Sequence, residues 1–137
     1  MKVRINTHGT RLPVQYGDWV DLYTAEEVYM EKGDFRIISL GVSMELPTGY
    51  EAHILPRSSA CKNYGVMMAN SMGVVDNDYC GDDDIWGFPC VAIRNTFIPY
   101  GTRICQFRLE KVGEPIEFVE VKNLGNESRG GFGSTGA

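Results

Sequence analysis

Gly73-Val74-Val75-Asp76-Asn77-Asp78-Tyr79-Cys80-Gly81 is an apolar triplet that runs into three polar residues, an aromatic ring and a second glycine. Apolar residues leading into Asp-Asn-Asp read as a strand entering a tight turn. Asp76 stands directly behind that strand. A lone carboxylate at such a place is ordinarily a turn former, so its meaning depends on what the rest of the chain puts around it.

Outward from this hairpin the same pattern recurs. Lys2 to Ile5 alternates and ends in a turn at Asn6 to Gly9. Trp19 to Thr24 reads as a strand with Val20, Leu22 and Thr24 on one face and Trp19, Asp21 and Tyr23 on the other. Phe35 to Leu40 and Val42 to Leu46 are two strands separated by Gly41. Tyr50 to Leu55 places Tyr50, Ala52 and Ile54 on one face and His53, read as structural or surface, on the other. Val66 to Ala69 is short. Pro89 to Asn95 is a strand with an edge-like position at Pro89. Thr102 to Leu109 sets Ile104, Gln106 and Arg108 against Arg103, Cys105, Phe107 and Leu109. Ile116 to Val121 is the last strand. About ten short strands and no amphipathic helix predict an all-β fold, a distorted jelly-roll or barrel-like sandwich. Cys61 to Gly65 is expected to be a loop or one short helical turn.

Composition narrows the function classes. The chain has 137 residues, enough for one domain with one moderate core. A formal charge of −5 argues against a nucleic-acid footprint, which needs a basic stripe. It leaves room for a small anion held by local arginines and amides. No apolar run reaches the length of a membrane span, and no basic-then-apolar secretory segment opens the chain. The four cysteines, Cys61, Cys80, Cys90 and Cys105, show no Cys-x-x-Cys pairing. Structural zinc is not expected, and reduced thiols in a cytoplasmic protein are.

Three further stretches carry chemistry. Pro56-Arg57-Ser58-Ser59 offers a guanidinium fork and hydroxyls that suit a phosphate oxygen, although Ser-Ser also begins helices. Gln106 brings an amide, which needs partners, onto a well-formed strand. The tail, Asn126 to Ala137, has four glycines in the seven residues from Gly130 to Gly136, together with Arg129 and Phe132. Gly133-Ser134-Thr135-Gly136 can present consecutive amides and hydroxyls to a phosphate. It lacks the lysine and the strand–loop–helix setting of a nucleotide-binding P-loop. Asp82-Asp83-Asp84 reads as a solvated loop, because consecutive carboxylates rarely converge on one ion.

Five segments in order resemble the homotrimeric, all-β deoxyuridine triphosphate nucleotidohydrolase (dUTPase) family. They are Asp21-Leu22-Tyr23, Pro56 to Ser59, Asn70 with Gly73 to Gly81, Gly101 to Gln106, and Arg129 to Gly136. Gly-Asp-Trp-Val-Asp-Leu and Leu-Gly-Asn-Glu-x-Arg-Gly-Gly further resemble the form of Gram-positive bacteria and their phages. The resemblance implies hydrolysis of dUTP to dUMP and pyrophosphate. Asp76 would be the general base that activates water for attack on the α-phosphorus. Tyr79 would exclude a 2′-hydroxyl, and Asn70 with the hairpin from Gly73 would bind uracil. Arg57, Ser58 and Gln106 would contact phosphates. Arg129, Gly133, Ser134 and Thr135 would grip the β- and γ-phosphates, with Phe132 as a lid over the base. Mg²⁺ would be held mainly by the phosphates and waters, with Asp21 reaching it through water.

The resemblance also implies a division into a β catalytic domain, 1–125, and a flexible arm, 126–137. Each active site of the homotrimer would be shared, with Asp21, Arg57 and Gln106 from one subunit, Asp76 from a second and the arm from a third. The sequence departs from the family pattern at Trp19 and Ser59, where glycine is usual, and at Cys80, where arginine is common. Two other readings stay open. A deoxycytidine triphosphate deaminase shares the fold, but would want a glutamate beside the pyrimidine C4. A non-enzymatic β protein would have little use for Asp76, Arg129 and the arm together, though a phage enzyme could add a regulatory binding role.

Overall fold

The computed structural model describes residues 1–133. Among them are twelve strands and one helix. The strands are β1 (Arg4–Asn6), β2 (Val14–Tyr16), β3 (Trp19–Tyr23), β4 (Val28–Met30), β5 (Phe35–Ser39), β6 (Ser43–Glu45), β7 (Tyr50–Pro56), β8 (Val66–Met68), β9 (Gly73–Val75), β10 (Gly87–Ala92), β11 (Thr96–Ile98) and β12 (Arg103–Lys111), and the helix is α1 (Ser58–Tyr64). Every strand pair is antiparallel. The largest sheet runs β2-β3-β12-β7-β9, a second runs β5-β10-β8, and β1-β6 and β11-β4 are two-stranded ribbons. The all-β expectation holds.

Alternation explains how the layers meet. In β7, Ala52 and Ile54 are buried and His53 lies on the other face, half-buried. In β10, Phe88, Cys90 and Ala92 point inward. These sets join Leu22, Phe107, Ile38, Val66 and Trp86 in one hydrophobic core between the sheets. Trp86 meets Phe107 edge to face, with centroids 5.1 Å apart at 81°, a favoured aromatic geometry.

Four local expectations are corrected. The stretch after Arg57 is a helix of seven residues, which ends at Gly65 in a left-handed conformation (φ 63) with its N–H returned to the Cys61 carbonyl. Pro89 lies in the central strand of its sheet, not at an edge. Its carbonyl accepts from the Ala69 N–H, just beyond the end of β8. N–H and C=O of a strand residue point the same way, so the missing proline N–H falls where the β8 ladder stops. In β12 the register shifts between Arg103 and Cys105, making Ile104 the extra residue of a bulge. Ile104 is therefore buried beside Cys105 and does not share the Gln106 face, and Arg103 is exposed. Residues 116–121 form no strand with the described residues, since a strand needs a neighbour to complete its ladder. Ile116, Phe118 and Val119 are left more than three-quarters exposed.

No helix among the described residues is long and apolar enough to cross a membrane.

Candidate functional site

The hairpin from which the fold was read builds a pocket. A cleft of about 220 Å³ is lined by Asn70, Gly73, Asp76 and Tyr79, with Ile54, Ile85, Trp86 and Pro89 as its apolar walls. Gly73 brings β9 close to its neighbours. A Cβ there would lie 3.2 Å from both Ile54 Cβ and Met68 Cε, tighter than ordinary contact. Asp76 follows β9 at once and is exposed. Its carbonyl accepts from the Tyr79 N–H at 3.1 Å, which closes the expected turn. Asn70 lies in a tight turn at the entry, where Ser71 adopts a left-handed φ of 62°.

This turn is tied down from two sides. Asn77 Nδ2 donates to the carbonyls of Pro47 (2.8 Å) and Tyr50 (2.9 Å). The Gly81 N–H donates to Asp84 Oδ2 at 2.9 Å, and Asn6 Nδ2 donates to Asp82 Oδ1 at 3.0 Å. Two of the three consecutive aspartates thus serve the loop itself. Among the described residues no group of three or more His, Cys, Asp or Glu could hold a metal.

A second cluster forms around Asp21. The bulge in β12 sets the register so that Gln106 stands opposite Asp21 on β3 and opposite Leu55 on β7. Asp21 is 5% exposed. Its Oδ1 lies 3.5 Å from Arg57 Nε and its Oδ2 lies 3.5 Å from Arg103 Nη1. Gln106 Nε2 donates to the Pro56 carbonyl at 3.3 Å, which orients the amide. No side chain caps the helix that starts at Ser58; the Ala60 N–H donates to the Arg57 carbonyl at 3.0 Å, which leaves the Ser58 and Ser59 amides to water or a ligand. Two guanidiniums and one amide around a single carboxylate give a cluster suited to anionic oxygens. Behind it, the buried Cys105 thiol is pushed well above its ordinary pKa by burial and then by the charge of Asp21.

The two clusters do not merge within one chain. None of Asp21, Arg57, Ser58 and Gln106 lines the Asp76 cleft. Among the described residues, those of the arm join neither cluster: Phe132 is fully exposed, and Arg129 Nε donates to the adjacent Gly130 carbonyl, at 3.3 Å. Gly133 is exposed with a φ of 81°, and Ser134 and Thr135 lie outside the described residues. Sequence reading missed Asn77, Trp86 and Arg103. Asn77 looked like any turn asparagine. Trp86 gave a signal only as a large aromatic ring behind an unusual acidic run, yet it lines the cleft, and its Nε1–H has no partner among the described residues.

Residues 19–136 match the family model described as dUTPase. The chain belongs to the dUTPase family. A relative of this dUTPase, the SPbeta prophage-derived deoxyuridine 5′-triphosphate nucleotidohydrolase of Bacillus subtilis, is 54% identical over 123 residues, which cover 90% of this chain and 87% of the relative. The deoxyuridine 5′-triphosphate nucleotidohydrolase of Finegoldia magna is 38% identical over 118 residues, covering 83% and 80%. Among solved structures, the dUTPase of Staphylococcus bacteriophage 80alpha, determined with dUpNHpp, superposes with a TM-score of 0.82 at 18% identity, over 99% of both chains. The dUTPase of phage phi11 of S. aureus, in which a structural Mg(II) ion was described, gives 0.78 at 16% identity, covering 90% of this chain and 99% of that one. This dUTPase thus shares its fold with phage enzymes far removed in sequence.

Proposed function

We propose that this chain hydrolyses dUTP to dUMP and pyrophosphate in sites shared between three copies. The observation that carries the reading is the pairing of a narrow apolar cleft ending in Asp76 with a separate arginine-rich cluster around Asp21. A nucleoside triphosphate has an apolar, planar end and an anionic end, and each cluster suits one of them.

In this reading the base enters the cleft beside Asn70 and Gly73, between the apolar walls. Tyr79 lies against the sugar and leaves no room for a 2′-hydroxyl, a filter set by shape and desolvation. Asp76, exposed behind β9, accepts a proton from water and orients it for in-line attack on the α-phosphorus. Arg57, Ser58 and Gln106 hold phosphate oxygens. Arg129, Phe132 and the Gly133-Ser134-Thr135 segment, carried by the arm 126–137, close over the triphosphate and the base and exclude bulk water.

Mg²⁺ fits the donor set in one way. A single buried carboxylate already faced by two guanidiniums cannot form a protein cage, but it can touch the hydration shell of an ion held by phosphates. When bound, the ion would neutralise triphosphate charge and stabilise the leaving pyrophosphate.

Sharing between copies is supported by three features. The two clusters stand apart in one chain. The described arm residues, 126–133, make no hydrogen bond to either of them. An outward apolar row, Phe35, Val91 and Met67 with Ile37 and Pro89, crosses the β5-β10-β8 sheet next to the cleft, and a second copy would cover it.

The test is product analysis with dUTP, dCTP, dTTP and UTP in the presence of Mg²⁺. dUMP and pyrophosphate from dUTP alone are expected, whereas conversion of dCTP to a uracil nucleotide would replace this reading by deamination. Asp76→Asn is expected to keep nucleotide binding and lose turnover by about 100-fold or more. Near-normal turnover in that variant would remove the general-base role.

A further inference from the structure

We propose that Asn77 is a positioning residue for Asp76, acting by fastening the Asp76 turn to the turn that precedes β7. The inference rests on the dUTPase reading given above, because it takes Asp76 as the group whose placement matters.

Asp76 and Asn77 are adjacent, but their side chains do different things. Asp76 is exposed, with no side-chain hydrogen bond to hold it among the described residues. Asn77 is half-buried and donates both amide hydrogens to backbone carbonyls, Pro47 at 2.8 Å and Tyr50 at 2.9 Å. Those carbonyls belong to a closed turn of their own, since the Tyr50 N–H donates to the Pro47 carbonyl at 3.1 Å. The same turn accepts the Val112 N–H on the Gly49 carbonyl at 2.8 Å. Asn77 therefore joins the hairpin carrying Asp76 to the start of β7 and to the end of β12, where the sheet's long ladder ends.

Chemistry explains why asparagine does this. Two carbonyls facing one side chain require two donors on one nitrogen, and only an uncharged primary amide of this length supplies them without burying a charge. A carboxylate at 77 would set acceptors against acceptors and place a second anion beside Asp76. Alanine would leave the turn held only by the Tyr79 N–H to Asp76 carbonyl bond and by the loop contacts beyond Gly81. Catalytic geometry is sensitive at this scale, because a misplacement of about 1 Å can cost about 100-fold in rate.

The experiment compares wild type, Asn77→Ala and Asn77→Asp. It measures kcat and KM for dUTP, the affinity for dUpNHpp, and hydrogen exchange at the Tyr79 amide. Both variants are expected to lose kcat by about 10- to 100-fold, to keep KM and analogue affinity within about twofold, and to exchange the Tyr79 amide faster. A merely structural role would lower stability and leave the kcat of the folded protein unchanged. Wild-type kcat in either variant would overturn the proposal. So would a loss confined to KM and analogue affinity, or an unchanged Tyr79 exchange rate. If wild type itself releases no dUMP, the dUTPase reading fails, and that failure is told apart by the exchange measurement, which reports the fastening without turnover.

Discussion

Arg57 and Asp76 stand at opposite ends of one strand. Pro56, beside Arg57, pairs with Cys105, whereas Val75, beside Asp76, pairs with Ala52 at the other end of β7. The five residue steps from Ala52 to Arg57 span about 17 Å in extended chain, longer than the reach from a sugar to its own α-phosphate. On the proposed reading, the Asp76 and the Arg57 that meet one nucleotide therefore come from different copies. Subunits carrying Asp76→Asn and subunits carrying Arg57→Ala should each be nearly inactive alone. Co-expressed in equal amounts, they should recover about a quarter of wild-type turnover, because random assembly gives that share of sites an intact Asp76 and an intact Arg57 from different copies. No recovery in isolated mixed assemblies would place both residues in one chain's site.

Asp21 has a second duty besides any contact to a hydrated ion. Its oxygens lie 3.5 Å from Arg57 and Arg103, whose side chains are 29% and 43% exposed. Removing a buried carboxylate leaves two cations facing each other, a penalty softened by solvent at the arginines. Asp21→Asn should therefore lower stability to urea by about 1–2 kcal/mol without any metal present. It should also raise the Mg²⁺ concentration needed for half-maximal turnover. Unchanged stability would mean that these contacts add nothing net, and an unchanged Mg²⁺ requirement would remove Asp21 from the ion's surroundings.

The strands were legible because alternation survives wherever one face is buried, as in Ala52 and Ile54 against His53. The register was not. The extra residue at Ile104 has no mark in sequence, since Ile104 and Cys105 are both apolar and either could continue the alternation. Yet that bulge puts Gln106 opposite Asp21. The Asp76 pocket was legible through its turn residues. Its floor was not, because Trp86 is distant from them in pattern and is brought in by bonds from Leu40 and to Val42. The expected strand at 116–121 was misread for a different reason. Its residues are strand formers, with Ile116, Phe118, Val119 and Val121 among them, but a strand also needs a ladder partner, which composition does not supply.

Two thiols set an alkaline limit on stability. Burial pushes the Cys90 thiol up to about 11, with a small opposing effect from Arg36, and burial together with Asp21 pushes Cys105 well above its ordinary range. In the unfolded chain both ionise near the ordinary thiol value of about 8.5. Above that pH the unfolded chain has lost protons that the folded chain still holds, so stability falls as pH rises. Each thiol contributes a slope of about 1.4 kcal/mol per pH unit until its folded pKa is reached. Urea midpoints from pH 8 to 10 should fall more steeply in wild type than in Cys90→Ala, in which one thiol is gone. A thiol reagent at pH 8 should label the exposed Cys61 and Cys80 before Cys90 or Cys105. Early labelling of Cys90 would contradict its burial.

Gly41 joins the fold to the pocket floor, and its replacement can be judged against a control. Its φ is 70°, where a side chain is strained, and a Cβ would lie 2.6 Å from Ala25 Cβ and 2.8 Å from Thr10 Cγ2. Leu40 and Val42 on either side of it hold the backbone of Trp86, through the Leu40 N–H to the Trp86 carbonyl at 2.9 Å and the Trp86 N–H to the Val42 carbonyl at 2.8 Å. Gly17 has a similar φ of 64° with nothing within 4 Å of its Cβ position. Gly17→Ala should therefore cost only left-handed strain, about 1–2 kcal/mol. Gly41→Ala should cost that strain plus overpacking, about 2–5 kcal/mol in all. It should also change Trp86 fluorescence and raise KM for dUTP, since the floor of the cleft shifts with its supporting strand, and Gly17→Ala should do neither. Equal losses in the two variants would show that the core around Ala25 and Thr10 yields freely and does not fix the Trp86 floor.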